Sequence, residues 1–161
     1  MCLNGLSSVT SVGLCFPINS CKETLEIYEG ALLDQEEIMK GEFSKSLAQC
    51  FKMTYLDLGS CKHLGDDFFA SLTSGEASVE GNVFKPGFKH LLTVKVNFLD
   101  KIMDGSVNKL LQVSPKVEHL ELTGCINLTD YFLENMFKSF LNLKFVDLNH
   151  IPAMANMPLL E

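Results

Sequence analysis

The chain has 161 residues, of which 47% are hydrophobic, and its net charge of −7 comes with 13 lysines and no arginine. Nucleic-acid binding needs cations that neutralise phosphates and contact base edges, so this composition excludes nucleic acid as a dedicated partner. No apolar stretch approaches the ~18 residues that a membrane span needs, and no membrane association is expected. The length suffices for one continuous hydrophobic core, which predicts a single soluble domain over residues 1–161.

The first twenty residues lack the marks of a targeting segment. No basic region precedes their mild hydrophobicity, and the first charged side chain is Lys22, so a secretory signal is not expected. Cys2 stands where N-myristoylation requires glycine. The six cysteines show no C-x-x-C spacing, which favours a reduced protein of the cytoplasm or nucleus.

Residues 9–52 are predicted to form an irregular first unit. The segment Val9–Phe16, "VTSVGLCF", predicts a short strand. Cys21–Gln49 predicts a long, acidic helical stretch with breaks at Gly30 and Gly41. A charged face on an amphipathic helix is usually its solvated side, so the acidity of this inserted stretch assigns it no function.

A hydrophobic frame with a period of about 26 residues, within the range of a repeat protein, runs through the segments that begin at Met53, Leu91, Val117 and Leu143. Its columns are Leu56, Val94, Leu120 and Val146; Leu58, Val96, Leu122 and Leu148; Leu64, Ile102, Leu128 and Met154; and Cys61, Leu99, Cys125 and Ile151. The L-x-L alternation predicts a short strand with two side chains on one face, followed by a helix that covers them. A single unit cannot bury that face, so we expect the units to stack side by side as a curved parallel sheet backed by helices.

The segment Val117–Leu133, "VEHLELTGCINLTDYFL", resembles the cysteine-containing leucine-rich repeat L-x-x-L-x-L-x-x-C-x-x-L-T-D-x-x-L. That repeat is found in F-box substrate receptors of cullin-type ubiquitin ligases and in related mitotic-exit regulators. The resemblance covers residues 53–161 well and 9–16 weakly. It implies an α/β leucine-rich repeat solenoid of about four to five repeats, with the parallel sheet on the concave side and helices on the convex side. Residues 1–50 lack the L-P-x-x-[IV] opening of an F-box, so only the substrate-binding half of such a receptor is implied.

The predicted units are residues 9–52, 53–90, 91–116, 117–142 and the partial unit 143–161. Among the predicted strand positions 12, 56, 94, 120 and 146, the last two intervals equal the period and the first two exceed it. The excess predicts one insertion of about 18 residues in the first unit and one of about 12 residues in the second. The second insertion, residues 73–87, has the Gly, Ser and Pro content of a surface loop. Insertions often mark a binding edge of a repeat array, but loops also accept extra length at little cost, and both interpretations stay open.

Three aspartates recur where the predicted helices begin: Asp66, Asp104 and Asp130. Capping of each one's own helix explains all three and is preferred to a metal site, with Thr129 as a further cap candidate. Cys61 and Cys125 share a column two units apart, roughly 10 Å, which is too far for a disulfide or a shared zinc ion. They are predicted to be buried thiols, and no metal or cofactor is expected.

Residues that flank the core positions of the strands should point to the concave side and carry specificity. The predicted rows are Ser11, Tyr55, Thr93, His119 and Phe145; Gly13, Asp57, Lys95, Glu121 and Asp147; and Cys15, Gly59, Asn97, Thr123 and Asn149, with Phe98 and His150 extending the patch. The aromatic members could anchor a partner, and Asp57, Glu121 and Asp147 would select a basic segment of it. The predicted protein-binding residues are Tyr55, Asp57, Thr93, Lys95, Asn97, His119, Glu121, Phe145, Asp147 and Asn149. The alternative is that exposed strands only need soluble side chains.

An enzymatic function finds little support, because no G-x-x-x-x-G-K loop, H-E-x-x-H helix or G-x-S-x-G elbow is present. His119 and Glu121 lie together on an open sheet, several strands from the distant nucleophile Cys15, so no catalytic residue is predicted.

The predicted function is therefore that of a protein–protein interaction module, an adaptor or substrate-recognition part of a cullin-type ubiquitin ligase with ligase subunits among its partners. The alternatives are an assembly subunit of a larger complex, or an inhibitor or activator of a partner enzyme.

Overall fold

The computed structural model describes residues 18, 25–29, 42–74 and 88–153. Within them the chain is an α/β protein built on a parallel sheet of five short strands: β1 (Ile27–Glu29), β2 (Tyr55–Asp57), β3 (Thr93–Lys95), β4 (His119–Glu121) and β5 (Phe145–Asp147). Four helices alternate with the strands: α1 (Glu42–Ala48), α2 (Asp66–Thr73), α3 (Asp104–Val113) and α4 (Asp130–Ser139). A short 3-10 helix, Phe88–His90, precedes β3. No helix in the described ranges is long and apolar enough to cross a membrane.

The strands lie in chain order, and each pairs in parallel with the next. Tyr55 pairs with Thr93, Thr93 with His119, and His119 with Phe145, so the repeating frame is also the register of the sheet. In β2, β3 and β4 the central residue is fully buried and its neighbours are partly exposed. This alternation follows from the two-residue period of a strand, and it confirms the predicted division into core and surface positions.

One hydrophobic cluster joins the sheet to the helices. The first column of the frame contributes Leu56, Val94 and Leu120, and the helices contribute pairs such as Phe68 with Phe69 and Phe132 with Leu133.

Cys61 and Cys125 are buried free thiols, as predicted. Burial raises the pKa of the Cys125 thiol to about 11, and its Sγ donates to the carbonyl oxygen of Val96 at 3.0 Å. This cysteine is therefore a neutral core residue with its one donor satisfied.

The prediction for the first unit is wrong in one respect. Ile27–Glu29, expected inside a long helix, forms β1 and pairs with β2, Ile27 opposite Tyr55. The spacing between these strands is 28 residues, so the expected long insertion does not separate them. Leu25 is buried at the position that Met53 holds in the next unit. The β-branched and aromatic pair Ile27 and Tyr28 suits a strand, and pairing with β2 outweighs the helical pattern around it.

Two predicted segments cannot be compared with the structure. Val9–Phe16 lies outside the described residues, as do residues 75–87 of the second insertion. Thr73, the first residue of that predicted insertion, is the last residue of α2.

The aspartates at the helix starts do not cap their own helices. The N-cap residues are Gly65, Met103 and Thr129, and none of them makes a side-chain cap bond. The carboxylate of Asp66 instead accepts hydrogen bonds from the backbone N–H of Met103 (3.0 Å) and the hydroxyl of Ser106 (2.5 Å). This aspartate therefore bridges to the start of the next helix, where unpaired N–H groups need acceptors.

Asp104 makes the same bridge one unit later. Its Oδ1 accepts from the backbone N–H of Thr129 at 2.9 Å, and its Oδ2 accepts from the Thr129 hydroxyl at 2.5 Å. Both aspartates also lie in the first turn of their own helices, where a negative charge meets the positive end of the dipole. The corresponding target of Asp130, residue 155, lies outside the described residues.

We expect Asp104→Ala to lower the free energy of unfolding by about 1–2 kcal/mol, because two hydrogen bonds between adjacent units are lost. A double-mutant cycle with Thr129→Val, measured by urea unfolding, should give a coupling of about 1 kcal/mol. Asp67→Ala is the matched control, since Asp67 is an exposed first-turn aspartate. A coupling of zero would show that Asp104 acts only within its own helix.

Each of the last four strands is followed, at the third position after its end, by a residue with left-handed backbone: Ser60, Phe98, Gly124 and His150, with φ between 57° and 70°. Only one of the four is glycine. A Cβ at Gly124 would collide with the ring of Phe98, the equivalent residue of the preceding unit. Gly124 therefore serves both the backbone conformation and the space that the Phe98 ring occupies.

Gly124→Ala should lower the free energy of unfolding by about 1–2 kcal/mol, because alanine is strained at positive φ and meets the Phe98 ring. Gly105→Ala, in the first turn of α3 with open space around its Cα, should raise it by up to about 0.5 kcal/mol. Thermal unfolding followed by circular dichroism measures both. Repeating Gly124→Ala in a Phe98→Ala background separates the ring collision from the backbone strain, and a neutral Gly124→Ala would contradict both.

Candidate functional site

The candidate site is the open sheet face, which we define as the strand residues that flank the central positions of β2 to β5. These central positions are buried in β2, β3 and β4 and partly buried in β5. One row consists of Tyr55, Thr93, His119 and Phe145, and the other of Asp57, Lys95, Glu121 and Asp147. The register places the members of each row on neighbouring strands, about 4.8 Å apart. The two rows thus contain eight of the ten predicted binding residues. Asn97 and Asn149 lie two positions beyond the ends of β3 and β5, and their side chains contact Glu121 and Asp147 of the second row.

Both rows continue onto β1, which the sequence did not reveal. Ile27 stands beside Tyr55, and Glu29 beside Asp57, in the positions that Ser11 and Gly13 were predicted to hold. Ser11, Gly13 and Cys15 themselves lie outside the described residues. The spacing between Leu25 and Met53, close to the period of the frame, was the signal that could have found this strand.

The apolar end of the first row carries a ring stack. The His119 and Phe145 rings have centroids 4.2 Å apart and planes inclined by 22°. Phe145 is 48% exposed, which is a large exposed fraction for a phenylalanine side chain. At the other end of the two rows the Lys95 ammonium lies 5.8 Å from the centroid of the Tyr55 ring, within the range of a cation–π contact.

Glu121 is the centre of a polar cluster on the second row. Its carboxylate accepts from Lys95 Nζ (2.9 Å), His119 Nε2 (3.0 Å) and Asn97 Nδ2 (2.8 Å). Because an ionised carboxylate can only accept, the His119 proton must be on Nε2. Partial burial alone would raise the pKa of Glu121, but the hydrogen bonds from these three side chains hold it below its usual value.

Lys95 shows the converse shift. Its hydrogen bond to Glu121 raises the pKa of the ammonium above its usual value, more than partial burial lowers it. Asn97 is committed as well, since its Oδ1 accepts from the backbone N–H of Thr123 at 2.9 Å. Glu121, Lys95 and Asn97 therefore satisfy one another across β3 and β4, and they shape the face more than they attract an opposite charge.

The acids at the two ends of the row have a different environment. Asp57 Oδ1 accepts from the backbone N–H of Gly59 at 2.9 Å, and Asp147 Oδ1 accepts from that of Asn149 at 3.0 Å. Each bond closes an Asx turn just after the strand, a contact that asparagine could also make. The Asn149 amide group donates to the same Asp147 oxygen at 2.7 Å. Within the described residues, no cluster of three or more His, Cys, Asp or Glu side chains suits a metal ion.

Glu121→Gln should lower the free energy of unfolding by about 1 kcal/mol at pH 7, because the partly exposed ion pair with Lys95 is lost. The folded pKa of Glu121 is depressed below 4.5, so its stabilisation is present above pH 4.5 and disappears as the pH falls through the folded value. The stabilisation that the charged Lys95 side chain contributes is present below pH 10.5 and disappears as the pH rises through the raised pKa of Lys95. Urea unfolding at pH 7 and pH 3 measures the difference.

The control for this pH dependence is Glu134→Gln on α4, where Glu134 lies 4.0 Å from Lys138 Nζ and both side chains are well exposed. It should change the unfolding free energy little at either pH. An effect of Glu121→Gln that is equally large at pH 3 and pH 7 would rule out a charge-dependent contribution.

Comparison with known proteins adds no relative to this description. No protein-family model matches the chain, and no curated protein sequence matches it.

Proposed function

We propose that the chain is a leucine-rich repeat solenoid whose open sheet face binds a protein partner. The in-register rows support this most directly, because they place partly exposed aromatic and acidic side chains of successive strands on one continuous surface. A frame whose central residues are buried and whose flanking residues are exposed uses the same short strand for the core and for recognition.

The charge of the face favours a partner with a basic segment. Asp57, Lys95, Glu121 and Asp147 are neighbours along one row, three acids with a single lysine. Lys95 is paired with Glu121, and with three acids and one lysine the row has a net negative charge. Phe145, stacked on His119 and half exposed, supplies an apolar anchor beside Asp147.

Within this proposal the partner is a substrate, and the chain is an adaptor or substrate-recognition part of a cullin-type ubiquitin ligase in the cytoplasm or nucleus. The support is the string Val117–Leu133, which resembles the cysteine-containing repeat of such receptors. Its cysteine is fully buried, as is Cys61 in the same column, and its Sγ donates to the carbonyl oxygen of Val96. No catalytic step is assigned to the chain.

The test is a quantitative pull-down from cell lysate with the wild type and with the double variant Asp57→Asn, Asp147→Asn. Asparagine keeps the acceptor of each Asx turn while it removes the charge, and circular dichroism checks that the fold is unchanged. Recovery of the partner should fall roughly fivefold, because charge attraction to a basic segment is lost. Asp67→Asn with Glu134→Gln removes the same charge from exposed helix positions and should leave recovery unchanged.

If both double variants lose partner recovery equally, the effect depends only on the net charge of the protein, which would contradict recognition by the sheet face. Cullin-ligase subunits in the captured material, identified by mass spectrometry, would support the adaptor function. A partner captured without ligase subunits would support the protein-binding function and contradict the adaptor function.

A second candidate, an assembly subunit, is favoured by one observation. Phe137, Leu141 and Phe145 are 49%, 86% and 48% exposed, and the first two line a groove of about 400 Å³ beside Val146 and Leu148. In the same pull-down, recovery that ignores charge removal but is lost with Phe137→Ser and Leu141→Ser would favour this candidate over recognition by the sheet face.

A further inference from the structure

The helix side of the protein contains a groove between α3 and α4, which shares no residue with the open sheet face. Its volume is about 650 Å³, within the range of ligand sites. These two helices touch each other less than α2 and α3 do, and the gap between them is the groove. Asn108 and Gln112 line one wall, one helical turn apart, and Tyr131, Asn135 and Ser139 line the other at the same spacing.

The floor of the groove contains a buried hydroxyl. Ser114 follows α3 and is 2% exposed, and among the described residues its Oγ has no hydrogen-bond partner. A buried polar atom without a partner costs free energy, so its retention calls for a group that completes it. The backbone of Ser114 is already engaged, its N–H with Leu111 and its carbonyl with Val117, so only the side chain is left over.

The rim of the groove exposes large apolar surfaces. Tyr131 is 70% exposed and Leu141 is 86% exposed, and both line the groove. Such side chains at the edge of a cleft are typical of a surface that another molecule covers. Among the described residues, the lining contains no charged side chain, although 20% of the chain is charged. A charged ligand would lose its hydration there without gaining a counter-charge.

We propose that this groove binds an uncharged peptide segment in extended conformation. Side-chain amides on both walls offer a donor and an acceptor each, which matches the N–H and C=O of a peptide backbone. The row from Tyr131 to Ser139 rises about 12 Å along α4, the length of roughly four extended residues. The Ser114 hydroxyl lies at the floor to pair with a backbone or hydroxyl group of the peptide, and Tyr131 and Leu141 cover its apolar side chains.

The experiment uses the whole chain labelled with ¹⁵N and a pool of N-acetylated, C-amidated pentapeptides built from Ala, Ser, Thr and Val. We expect saturable shifts of the side-chain amide signals of Gln112 and Asn135, while those of Asn97 on the sheet face stay in place. Pools with a central Asp or Lys should bind about tenfold more weakly, because the groove cannot neutralise them. Equal binding of charged pools, or no shift at all with the neutral pool, would overturn the proposal.

Ser114→Ala separates a ligand role of the hydroxyl from a structural one. If the peptide completes the hydroxyl, the variant should keep or raise the melting temperature of the free protein and bind the pool roughly fivefold more weakly. A lowered melting temperature with unchanged binding would instead mean that internal water holds the hydroxyl, which overturns its part in recognition.

Asn135→Asp, at a partly exposed position of α4, should weaken binding by a similar factor because it places a charge in the groove. The variant also loses the hydrogen bond from Asn135 Nδ2 to the carbonyl oxygen of Tyr131 (2.7 Å), so circular dichroism checks its fold first. Glu134→Gln, on the neighbouring exposed position of α4, is the matched control and should bind as the wild type does. Wild-type affinity in Asn135→Asp would contradict the proposed groove.

Discussion

The in-register pairing of short parallel strands is the constraint on which the rest of the structure depends. Leu56, Val94 and Leu120 lie side by side because β2, β3 and β4 pair without offset, and a slip of one position would move all three from the core to the surface. Strands this short contribute few hydrogen bonds individually. The register is therefore fixed mainly by the buried columns beneath the sheet, and the face above inherits its order from them.

The same constraint explains what the sequence could and could not reveal. Apolar columns repeat because every unit meets the same core, so the strands and helices from Tyr55 onward and the two rows of the sheet face were predictable from spacing. The first strand was missed because Ile27 and Tyr28 lie in an acidic stretch with a helical pattern, and only pairing with β2 selects the strand. The local sequence gives residues 27–29 only a weak preference for helix or strand, and the free energy of pairing with the neighbouring strand determines which of the two forms.

Polar partners were harder to predict than positions. Periodicity located Asp66 and Asp104 correctly at the helix starts, but it could not show that their carboxylates reach the next helix. On the sheet face, Glu121 was expected to attract a basic partner, yet Lys95, His119 and Asn97 already occupy its oxygens. Contacts between units join residues 24 to 40 positions apart, and a pattern within one unit contains no information about them.

The aspartate bridges also bear on how the protein unfolds. A carboxylate that caps its own helix stabilises one unit whether or not its neighbour is folded, whereas Asp66 and Asp104 stabilise a unit only when the next one is in place. In a linear array, free energy held at the junctions rather than inside the units makes partly unfolded molecules scarce. The chain should accordingly melt as one cooperative block from α2 to α4, instead of fraying unit by unit.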